Sequence, residues 1–595
     1  MSLFRDLLIE KKRRRYYCEL EYLESSGTQY INTGIFPTQL TKAKIEMQFT
    51  DVNYKQAVLG SNNGASGDTG WNNLFGTNEN SSTAKPTYFW CQWGPSFDGP
   101  ITKDTNRHTH TFERNGNSSW TYTIDNNSIT ITSGISTQTT PKIMYLFACN
   151  NNGTAYRQAK VKVYRCQIWN NGTLVRDFIP VLDWNMTPCM YDKVSGQLFY
   201  NQGTGSFTYG REIHPVEYLE STGTQYIDTG IYLTNNHSVE IDYQLTQAIQ
   251  NRKGLFGGLS IVGGEITSRF GALLSPSNSY LEAGYGSTNV YYQLGLPDTN
   301  RHVLKQVKNE LYFDGNLVYT FSTSTFTQNF SAPLMNFNFT NYNPASAKYY
   351  SSKWWNGNTI IRDYIPAIDE NGVGFMFDKV SHTCFLNAGT GVFKYPAREV
   401  EYLQSSGTQY IDTGWTPVSN DLRVNFRTKS MSSPSATAIC GAEKNGVIPR
   451  WVFILYGQST DTTKTFPLTG DWNNNSNGFT FTSGSVLEID WTTSSASTTI
   501  TDSISGTTYT QTFGSTINYS NNPITLKLFQ NADNQKSSIQ INYYKIWDNN
   551  IIKRDFIPAF KDGVAGMLDK ANNVFYSNAG TGTFSVGRII EKRFE

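Results

Sequence analysis

The chain has little charge. Asp, Glu, Lys and Arg make up 16% of its 595 residues, against the ~25% that is usual in globular proteins. The formal net charge is +1, so no field of one sign favours nucleic acid or a membrane surface as a partner. Long apolar runs are also missing, because no stretch approaches the ~18 residues that a transmembrane helix needs. Residues 1–15 do not read as a secretory signal, since their basic cluster follows the apolar residues rather than preceding them.

Patterned cysteines are missing as well. The chain has seven, an odd number at unmatched places: Cys18, Cys91, Cys149, Cys166, Cys189, Cys384 and Cys440. No CxxC pair occurs, which argues against a zinc knuckle. The sequence therefore predicts buried free thiols, with no disulfide framework, no metal site and no cofactor.

What the chain does have is a long internal repeat. YLESSGTQYINTG (22–34) returns as YLESTGTQYIDTG (218–230) and as YLQSSGTQYIDTG (402–414). Each copy ends alike, in DKVSGQLFYNQGTGSF, DKVSHTCFLNAGTGVF and DKANNVFYSNAGTGTF. A period of this length is a whole domain rather than a solenoid unit. We predict an anchor peptide at 1–17 and domains at 18–213, 214–397 and 398–595, called repeats 1, 2 and 3 below, with short and stiff joints between them.

The local patterns are those of β-strands. Residues alternate between apolar and polar in KIEMQF, VEIDY and LRVNF, which indicates strands with one buried face. Asn171-Gly172 and Asn356-Gly357 each separate two apolar runs, a strong hairpin signal, and Asp548-Asn549-Asn550 replaces them in repeat 3. In the opening phrase, the sequence predicts a strand at Tyr22, a tight turn through Gly27 and a return strand to Ile31. Many short strands predict an all-β fold of sandwich domains.

These phrases resemble a known domain type. DTNRHVLKQVKNELYFDGN (298–316), and more loosely DTNRHTHTFERNGNSSWTYTIDN (104–126), are similar to the middle of laminin-G domains of the concanavalin-A-like group. The opening phrase resembles tandem repeats of gut bacterial surface proteins and of the phages that infect gut bacteria. The resemblance covers everything after residue 17, although repeat 3 departs from it at LEIDWTTSSASTTITDS. It implies three tandem concanavalin-A-like jelly rolls, and it says little about a ligand.

Because the concanavalin-like group includes glycoside hydrolases, acidic residues on strands need attention. Those enzymes carry acidic residues in the form ExDxxE or ExDxE on one strand, so that two carboxylates flank the glycosidic bond. Here Glu240-Ile241-Asp242 and Glu488-Ile489-Asp490 lack the last acid of that pattern, and they fall at different places in their repeats. We interpret both as solvated strand faces and predict no enzyme activity and no catalytic residue.

Other recurring motifs read as scaffold. The NxGTG stretches lack the Lys-Ser/Thr and the helix of a phosphate loop, so they indicate turns. Arg176-Asp177 and Asp192-Lys193, with their counterparts in the other repeats, indicate turn caps or ion pairs at a sheet edge. Laminin-G relatives sometimes bind calcium on a loop rim, and Asp228 and Asp412 could be ligands. Repeat 1, however, has Asn32 at the corresponding position, and no dense cluster of acidic residues accompanies these aspartates.

Ligand contacts are expected where the repeats differ, in the loops. Two loops interleave tryptophan with amides, the mixture that stacks on sugar rings and binds hydroxyl groups. The predicted glycan-binding residues are Trp71, Asn72, Asn73, Trp93, Trp472, Asn473 and Asn474. A core position for Trp90 and Trp93 is the alternative.

Residues 1–17 belong to no repeat. Apolar side chains share one side of a short predicted helix, and a basic cluster follows. A helix this short needs a partner, so we predict an anchor in a larger assembly, formed by Leu3, Phe4, Leu7, Leu8, Lys11, Lys12, Arg13, Arg14 and Arg15.

The sequence thus favours a structural and adhesive protein. The first hypothesis is a bacteriophage head or tail fibre on the exterior of the virion, which contacts other virion proteins through its anchor, binds host polysaccharide and forms a homo-oligomer. The second is a bacterial cell-surface adhesin or carbohydrate-binding protein, and the third is a glycoside hydrolase. Neighbouring genes for capsid and tail proteins, or for polysaccharide use, would separate the first two.

Overall fold

The computed structural model describes residues 17–63, 71–77, 88–93, 96–133, 139–248, 252–274, 280–292, 298–338, 343–417, 419–431, 437–442, 450–455, 464–470, 479–512, 516, 518, 524–531 and 535–590. Within these ranges the regular elements are all β-strands, so the predicted all-β class is confirmed. The predicted helix of the anchor, with its nine side chains, lies outside the described residues. No helix able to span a membrane occurs among the residues described.

The strands of repeat 1 are β1 (Cys18–Leu20), β2 (Leu23–Ser26), β3 (Ile31–Asn32), β4 (Thr41–Phe49), β5 (Gln56–Asn62), β6 (Trp71–Thr77), β7 (Tyr88–Trp93), β8 (Ser96–Thr102), β9 (Arg107–Asn115), β10 (Ser119–Ile124), β11 (Asn127–Ile131), β12 (Tyr145–Leu146), β13 (Ala148–Asn151), β14 (Thr154–Tyr156), β15 (Lys160–Asn170), β16 (Thr173–Leu182), β17 (Pro188–Asp192), β18 (Gln197–Phe199) and β19 (Thr208–Tyr209).

The boundary between repeats 1 and 2 falls within β20 (Glu212–Pro215). The remaining strands of repeat 2 are β21 (Leu219–Thr222), β22 (Ile227–Asp228), β23 (His237–Leu245), β24 (Lys253–Val262), β25 (Glu265–Leu274), β26 (Leu281–Gly286), β27 (Thr288–Tyr292), β28 (Arg301–Val307), β29 (Glu310–Phe313), β30 (Asn316–Thr320), β31 (Pro333–Leu334), β32 (Asn343–Pro344), β33 (Ser346–Asn356), β34 (Thr359–Ile368), β35 (Gly374–Asp378) and β36 (Thr383–Phe385).

Repeat 3 contains β37 (Arg398–Glu399), β38 (Leu403–Gln404), β39 (Ile411–Asp412), β40 (Leu422–Ser430), β41 (Thr437–Ala442), β42 (Arg450–Leu455), β43 (Lys464–Gly470), β44 (Phe479–Thr480), β45 (Val486–Thr493), β46 (Ser497–Asp502), β47 (Thr507–Thr512), β48 (Lys527–Leu528), β49 (Ile539–Asp548), β50 (Ile551–Lys561), β51 (Val564–Asp569), β52 (Val574–Ser577) and β53 (Ser585–Val586).

Most of these strands pair antiparallel, and each repeat contributes strands to two sheets. In repeat 3 the first sheet runs β47-β46-β45-β40-β49-β50-β51-β52, and the second runs β39-β48-β41-β42-β43-β44. The middle of the first sheet in repeat 1 is β9-β4-β15-β16-β17, and in repeat 2 it is β28-β23-β33-β34-β35. In each repeat the central strand, β4, β23 or β40, pairs with the first strand of the late hairpin, and the repeated RDFIP-type sequence forms the second strand of that hairpin.

The hydrophobic core of repeat 1 lies between its two sheets. β4 is buried at alternate positions, and this puts Ile45 and Met47 in the core. Leu59 and Phe75 enter the same cluster from β5 and β6 of the other sheet. Period-two burial on one strand, joined to apolar residues of a facing sheet, is the mark of a β-sandwich.

The predicted late hairpins are confirmed, and the predicted opening hairpin is wrong. Asn171 (φ 49°) and Gly172 (φ 74°) take the left-handed conformation between β15 and β16, as a two-residue turn requires. In the opening phrase, however, β2 pairs with β15 of one sheet while β3 pairs with β12 of the other. The turn through Gly27 (φ 97°) therefore carries the chain from one sheet to the other.

The cysteines are free thiols, as predicted, and six of the seven are buried. Burial raises the pKa of the Cys149 thiol to about 12, so this thiol stays protonated at neutral pH.

The chain divides into two compact units. The first unit holds repeat 1 together with most of repeat 2, and the second holds repeat 3 with the short segments 216–225, 370–374 and 389–397 of repeat 2.

Candidate functional site

The repeated opening and closing phrases contact each other. In repeat 1, the Gln29 side-chain oxygen accepts from the Ser26 amide (2.9 Å), and its Nε2 donates to the Ser206 carbonyl (3.1 Å). The Asn201 side-chain oxygen accepts from the Tyr30 amide (3.1 Å). Repeat 3 has the same bonds, with Gln409 and Asn578 in these roles. The phrases are therefore scaffold that ties the first strands of a repeat to its last turn.

The repeated Arg and Asp residues have the same kind of role. Asp192 is fully buried. Its oxygens accept from the amides of Asp177 (2.8 Å) and Ser195 (3.2 Å), and Arg176 lies 3.5 Å away. Asp378 and Asp569 hold the equivalent turns. The predicted turn caps are confirmed.

The acidic pairs considered for catalysis lie in cross-strand ion pairs. Glu240 contacts Lys305 (2.9 Å), and Asp242 makes two hydrogen bonds of 2.8 Å with Arg301. In repeat 3, Asp490 accepts from Arg423 in the same way, at 2.6 and 2.9 Å. Each carboxylate is therefore part of an ion pair on a sheet face, and nothing in these contacts supports catalysis.

The predicted glycan-binding residues do not form an exposed rim. Asn72, Asn73 and Trp93 are buried. Asn72 accepts from the Thr140 amide (2.7 Å), and Trp93 stacks on Phe112 with ring centroids 5.6 Å apart. A sugar could not reach these three side chains without displacing core residues, which corrects the prediction for them.

The other predicted positions are not tested. Trp71 begins β6, but its side chain lies outside the description. Trp472, Asn473 and Asn474 lie outside the described residues altogether. For these four residues, glycan contact stays a prediction.

A different surface of repeat 1 has the chemistry of a binding site. It is a cleft of about 280 Å³ at the end of the first sheet, called the Trp169 cleft below. The start of β4, the end of β9 and the β15–β16 turn form its walls. Its lining residues are Leu40, Lys42, Glu113, Arg114, Asn115, Trp169, Asn171 and Gly172.

Strand register explains why these side chains meet. In β15, Cys166 and Ile168 face the core, so Trp169 lies on the half-exposed outer side. Trp169 pairs with Lys42 of β4, which in turn pairs with Glu113 of β9. The three side chains therefore form a row across adjacent strands.

Polar and charged side chains line the Trp169 cleft, and the opposite charges of Lys42 and Glu113 lie next to each other. Lys42 Nζ lies 3.1 Å from Glu113 Oε2 and 5.8 Å from the centre of the Trp169 ring. Arg114 is buried beneath, and it donates to Gln39 Oε1 at 3.0 and 2.6 Å. Burial lowers the pKa of Arg114, but a guanidinium keeps its charge at any physiological pH.

This arrangement suits a neutral polyhydroxyl ligand. An aromatic ring offers an apolar platform, while the amides of Asn115 and Asn171, the Glu113 carboxylate and the Lys42 ammonium offer donors and acceptors around it. Carbohydrate rings combine one apolar face with a rim of hydroxyl groups. The cleft can therefore hold a sugar by stacking and hydrogen bonding, with no metal or cofactor.

The sequence analysis missed Trp169, although a signal was present. Cys166 and Ile168 are apolar residues two positions apart, so the alternation of a strand puts Trp169 on its outer face, where a large aromatic side chain is unusual. The same position holds Trp355 and Trp547 in the other repeats, each with a cation near the ring, Lys305 at 5.0 Å and Arg423 at 5.1 Å.

Comparisons with known proteins found structural neighbours only. No family model and no curated protein matches the chain. The LG1–3 region of the laminin α2 chain is similar at 10% identity and a TM-score of 0.25, covering 96% of this chain and 100% of that one. Domains LG4–5 of mouse laminin α1 are similar at 12% identity and 0.21, covering 57% and 91%. A mutant NanB sialidase from Streptococcus pneumoniae is similar at 9% identity and 0.18, covering 94% and 92%.

Two of these neighbours are laminin LG domains, the group that the repeated phrases resemble. With TM-scores of 0.25 and below, no ligand, activity or partner is transferred from them. The function proposed for this chain rests on its own residues.

Proposed function

We propose that the chain is an adhesive protein of three laminin-G-like jelly rolls, one per repeat, and that the Trp169 cleft binds one sugar residue of a surface glycan. The observation that carries the binding proposal is the half-exposed Trp169 ring among amide and charged side chains. The proposal of one jelly roll per repeat is supported by the strand order, which recurs around the central strands β4, β23 and β40.

The size of the Trp169 cleft supports a small ligand. Its volume of about 280 Å³ lies just below the ~300–1,000 Å³ typical of small-molecule sites. One sugar ring of a longer chain fits such a volume, and the open side leaves the rest of the polysaccharide in solvent. We therefore expect weak binding at each site, strengthened when several copies of the chain engage one polymer.

Glycan binding is tested by removing the aromatic platform. Trp169→Ala should abolish retention on a glycan array that the unchanged full chain binds, because sugar stacking needs the ring face. Asn171→Gly should weaken binding several-fold, since glycine keeps the left-handed turn (φ 49°) and removes only the amide. Trp184→Ala is the matched control, because this tryptophan is 52% exposed at another turn of repeat 1.

Two outcomes would contradict the assignment of the cleft. One is full binding by Trp169→Ala. The other is an equal loss in Trp184→Ala, which would indicate a general effect of losing an exposed tryptophan. Loss in Trp472→Ala alone would move the site to the loop predicted from the sequence.

For the biological setting, we propose the exterior of a bacteriophage particle. The support is the neutral polar composition and the resemblance of the opening phrase to tandem repeats of gut phage proteins. The chain should then be found in density-purified phage particles by mass spectrometry, and antibodies against repeat 3 should label the particles in electron micrographs. Labelling of intact bacterial cells in the absence of phage would instead support a cell-surface adhesin.

A further inference from the structure

The junction of repeats 1 and 2 brings together three residues that can ligate a metal. β1 pairs antiparallel with β20, with Glu19 opposite Ile213 and Leu20 opposite Glu212. The same register sets Cys18 opposite His214. Because side chains alternate along strands, Cys18, Glu212 and His214 lie on one face of this ribbon.

The three side chains are close together and buried. Cys18 Sγ lies 3.9 Å from Glu212 Oε2 and 3.9 Å from His214 Nε2, and the latter two atoms are 2.9 Å apart. Their residues are 5%, 7% and 2% exposed. The ligand atoms all lie within 4.8 Å of one another.

These distances suit a tetrahedral ion. Zinc bonds of about 2.3 Å to sulfur and 2.0–2.1 Å to nitrogen and oxygen put neighbouring ligand atoms about 3.3–3.6 Å apart. The observed separations of 2.9–3.9 Å bracket that range, so side-chain shifts of a few tenths of an ångström would place three ligands around the ion, and a water molecule would take the fourth position. A thiolate, an imidazole and a carboxylate are all ligands that zinc accepts, whereas calcium takes oxygen ligands.

The charge balance also favours a divalent ion. A thiolate and a carboxylate together carry two negative charges, and a neutral imidazole adds none. A bound Zn²⁺ would make this buried group neutral overall, which lowers the cost of removing the charges from water. Binding would release the Cys18 thiol proton to solvent, so affinity should rise with pH.

These residues are not part of the repeated scaffold. Counting back four residues from the first tyrosine of each opening phrase reaches Cys18 in repeat 1, His214 in repeat 2 and Arg398 in repeat 3. Arg398 pairs with Phe560 of its own repeat. Among the described residues, the three donors therefore come together where the opening strands of two repeats, β1 and β20, pair with each other.

We propose that Cys18, Glu212 and His214 bind one zinc ion, which crosslinks the opening strands of repeats 1 and 2. The ion joins β1, which pairs with β16 of repeat 1, to β20, which pairs with β34 of repeat 2. The sequence analysis predicted no metal site because the donors are almost two hundred residues apart in the chain and form no short motif.

The test measures metal binding by the full chain. Chelator-treated protein is mixed with ZnCl₂, desalted, and analysed for metal content, and the expected result is one zinc per chain. Co²⁺ should give a thiolate-to-cobalt charge-transfer band in the near ultraviolet. Cys18→Ala should remove the band and weaken zinc binding by more than about 100-fold, because even the loss of an outer-shell partner costs 10–100-fold.

Two further variants keep the test decisive. Cys189→Ala is the matched control, since this thiol is also buried but packs in a separate cluster with Ile179 and Val181; it should bind zinc and cobalt as the unchanged chain does. Glu212→Gln keeps the shape of the side chain, and it should weaken zinc binding even if Cys18→Ala does not fold. Less than a tenth of an equivalent of zinc on the unchanged chain, or unaltered binding by Glu212→Gln and Cys18→Ala, would overturn the proposal.

Discussion

At the scale of single residues, His302 shows how the DTNRH sequence works. Its Nδ1 lies 2.8 Å from Asp314 and its Nε2 lies 2.9 Å from Asp298, so both ring nitrogens face carboxylates. Burial alone would lower the pKa of His302, but the hydrogen bonds to the two aspartates outweigh it and raise the pKa. The hydrogen bond from His302 in turn lowers the pKa of Asp298. His108 has the same two contacts in repeat 1.

The contacts of His302 with Asp298 and Asp314 predict that the free energy of unfolding depends on pH. A raised histidine pKa stabilises the fold fully below the unfolded value of about 6.5, and the effect is lost as pH rises through the folded pKa. A lowered aspartate pKa stabilises the fold above about 4 and is lost as pH falls through the folded value. His302→Leu should therefore lower the free energy of unfolding at about pH 5.5, by up to ~1 kcal/mol for so exposed a pair, and have little effect at about pH 9.

Repeat 3 supports this choice of substitution. Leu487 pairs with Thr428 directly after the bulge of the central strand, as His302 pairs with Tyr243 in repeat 2. Leucine is therefore compatible with the position. Urea denaturation across this pH range measures the effect, and an equal loss at both pH values would show that the imidazolium contributes nothing.

At the scale of elements, the sequence predicted strands well where apolar residues alternate and poorly where amides fill the sheet. β4, β23 and β40 lie where period-two patterns put them. The sequence predicts a polar loop over residues 60–82, yet the end of β5 and the whole of β6 lie in that range. Their amides hydrogen-bond across strands, as Asn73 does to Gln92 (3.3 Å), so polar composition there does not mean exposure.

The candidate site was likewise predictable from the sequence in one part and not in another. Turn chemistry predicted the β15–β16 hairpin, because Asn-Gly favours left-handed φ angles. The Trp169 cleft could not be predicted in full, since Glu113 reaches it only through the register of β9 on β4. Pairing register depends on the whole sheet, and local sequence does not encode it.

At the scale of the whole chain, the joint between repeats 1 and 2 is a continuous strand contact. Residues 208–215, which span the boundary between repeats 1 and 2, pair with β2 through β19 and with β1 through β20. Arg107 of β9 adds a second contact, donating to the carbonyls of Ser381 and His382 in repeat 2. The His382 ring donates to the Leu20 carbonyl (2.9 Å), and burial lowers the pKa of His382 to about 3, so the ring is neutral.

Position 382 has a counterpart in each repeat. Four residues after the capping aspartate stand Gly196 (φ 70°), His382 (φ 54°) and Asn573 (φ 54°). Glycine, asparagine and histidine are all among the residues that adopt left-handed φ. The turn therefore accepts each of them, and in repeat 2 the histidine ring at this position contacts the Leu20 carbonyl of repeat 1.

The joint predicts that repeats 1 and 2 unfold together. Arg107→Ala should split their thermal unfolding into two calorimetric transitions, because two hydrogen bonds from a charged donor across the joint are lost, each contributing about 1.5–3 kcal/mol. Arg301→Ala is the matched control. Arg301 occupies the same place in the second DTNRH sequence, makes an ion pair with Asp242 (2.8 Å) and lies over Tyr350 (3.7 Å), as Arg107 does with Glu46 (2.9 Å) and Tyr164 (3.5 Å). Its loss should lower the stability of repeat 2 without uncoupling it from repeat 1. A single unchanged transition in Arg107→Ala, or the same splitting in Arg301→Ala, would show that the coupling lies elsewhere.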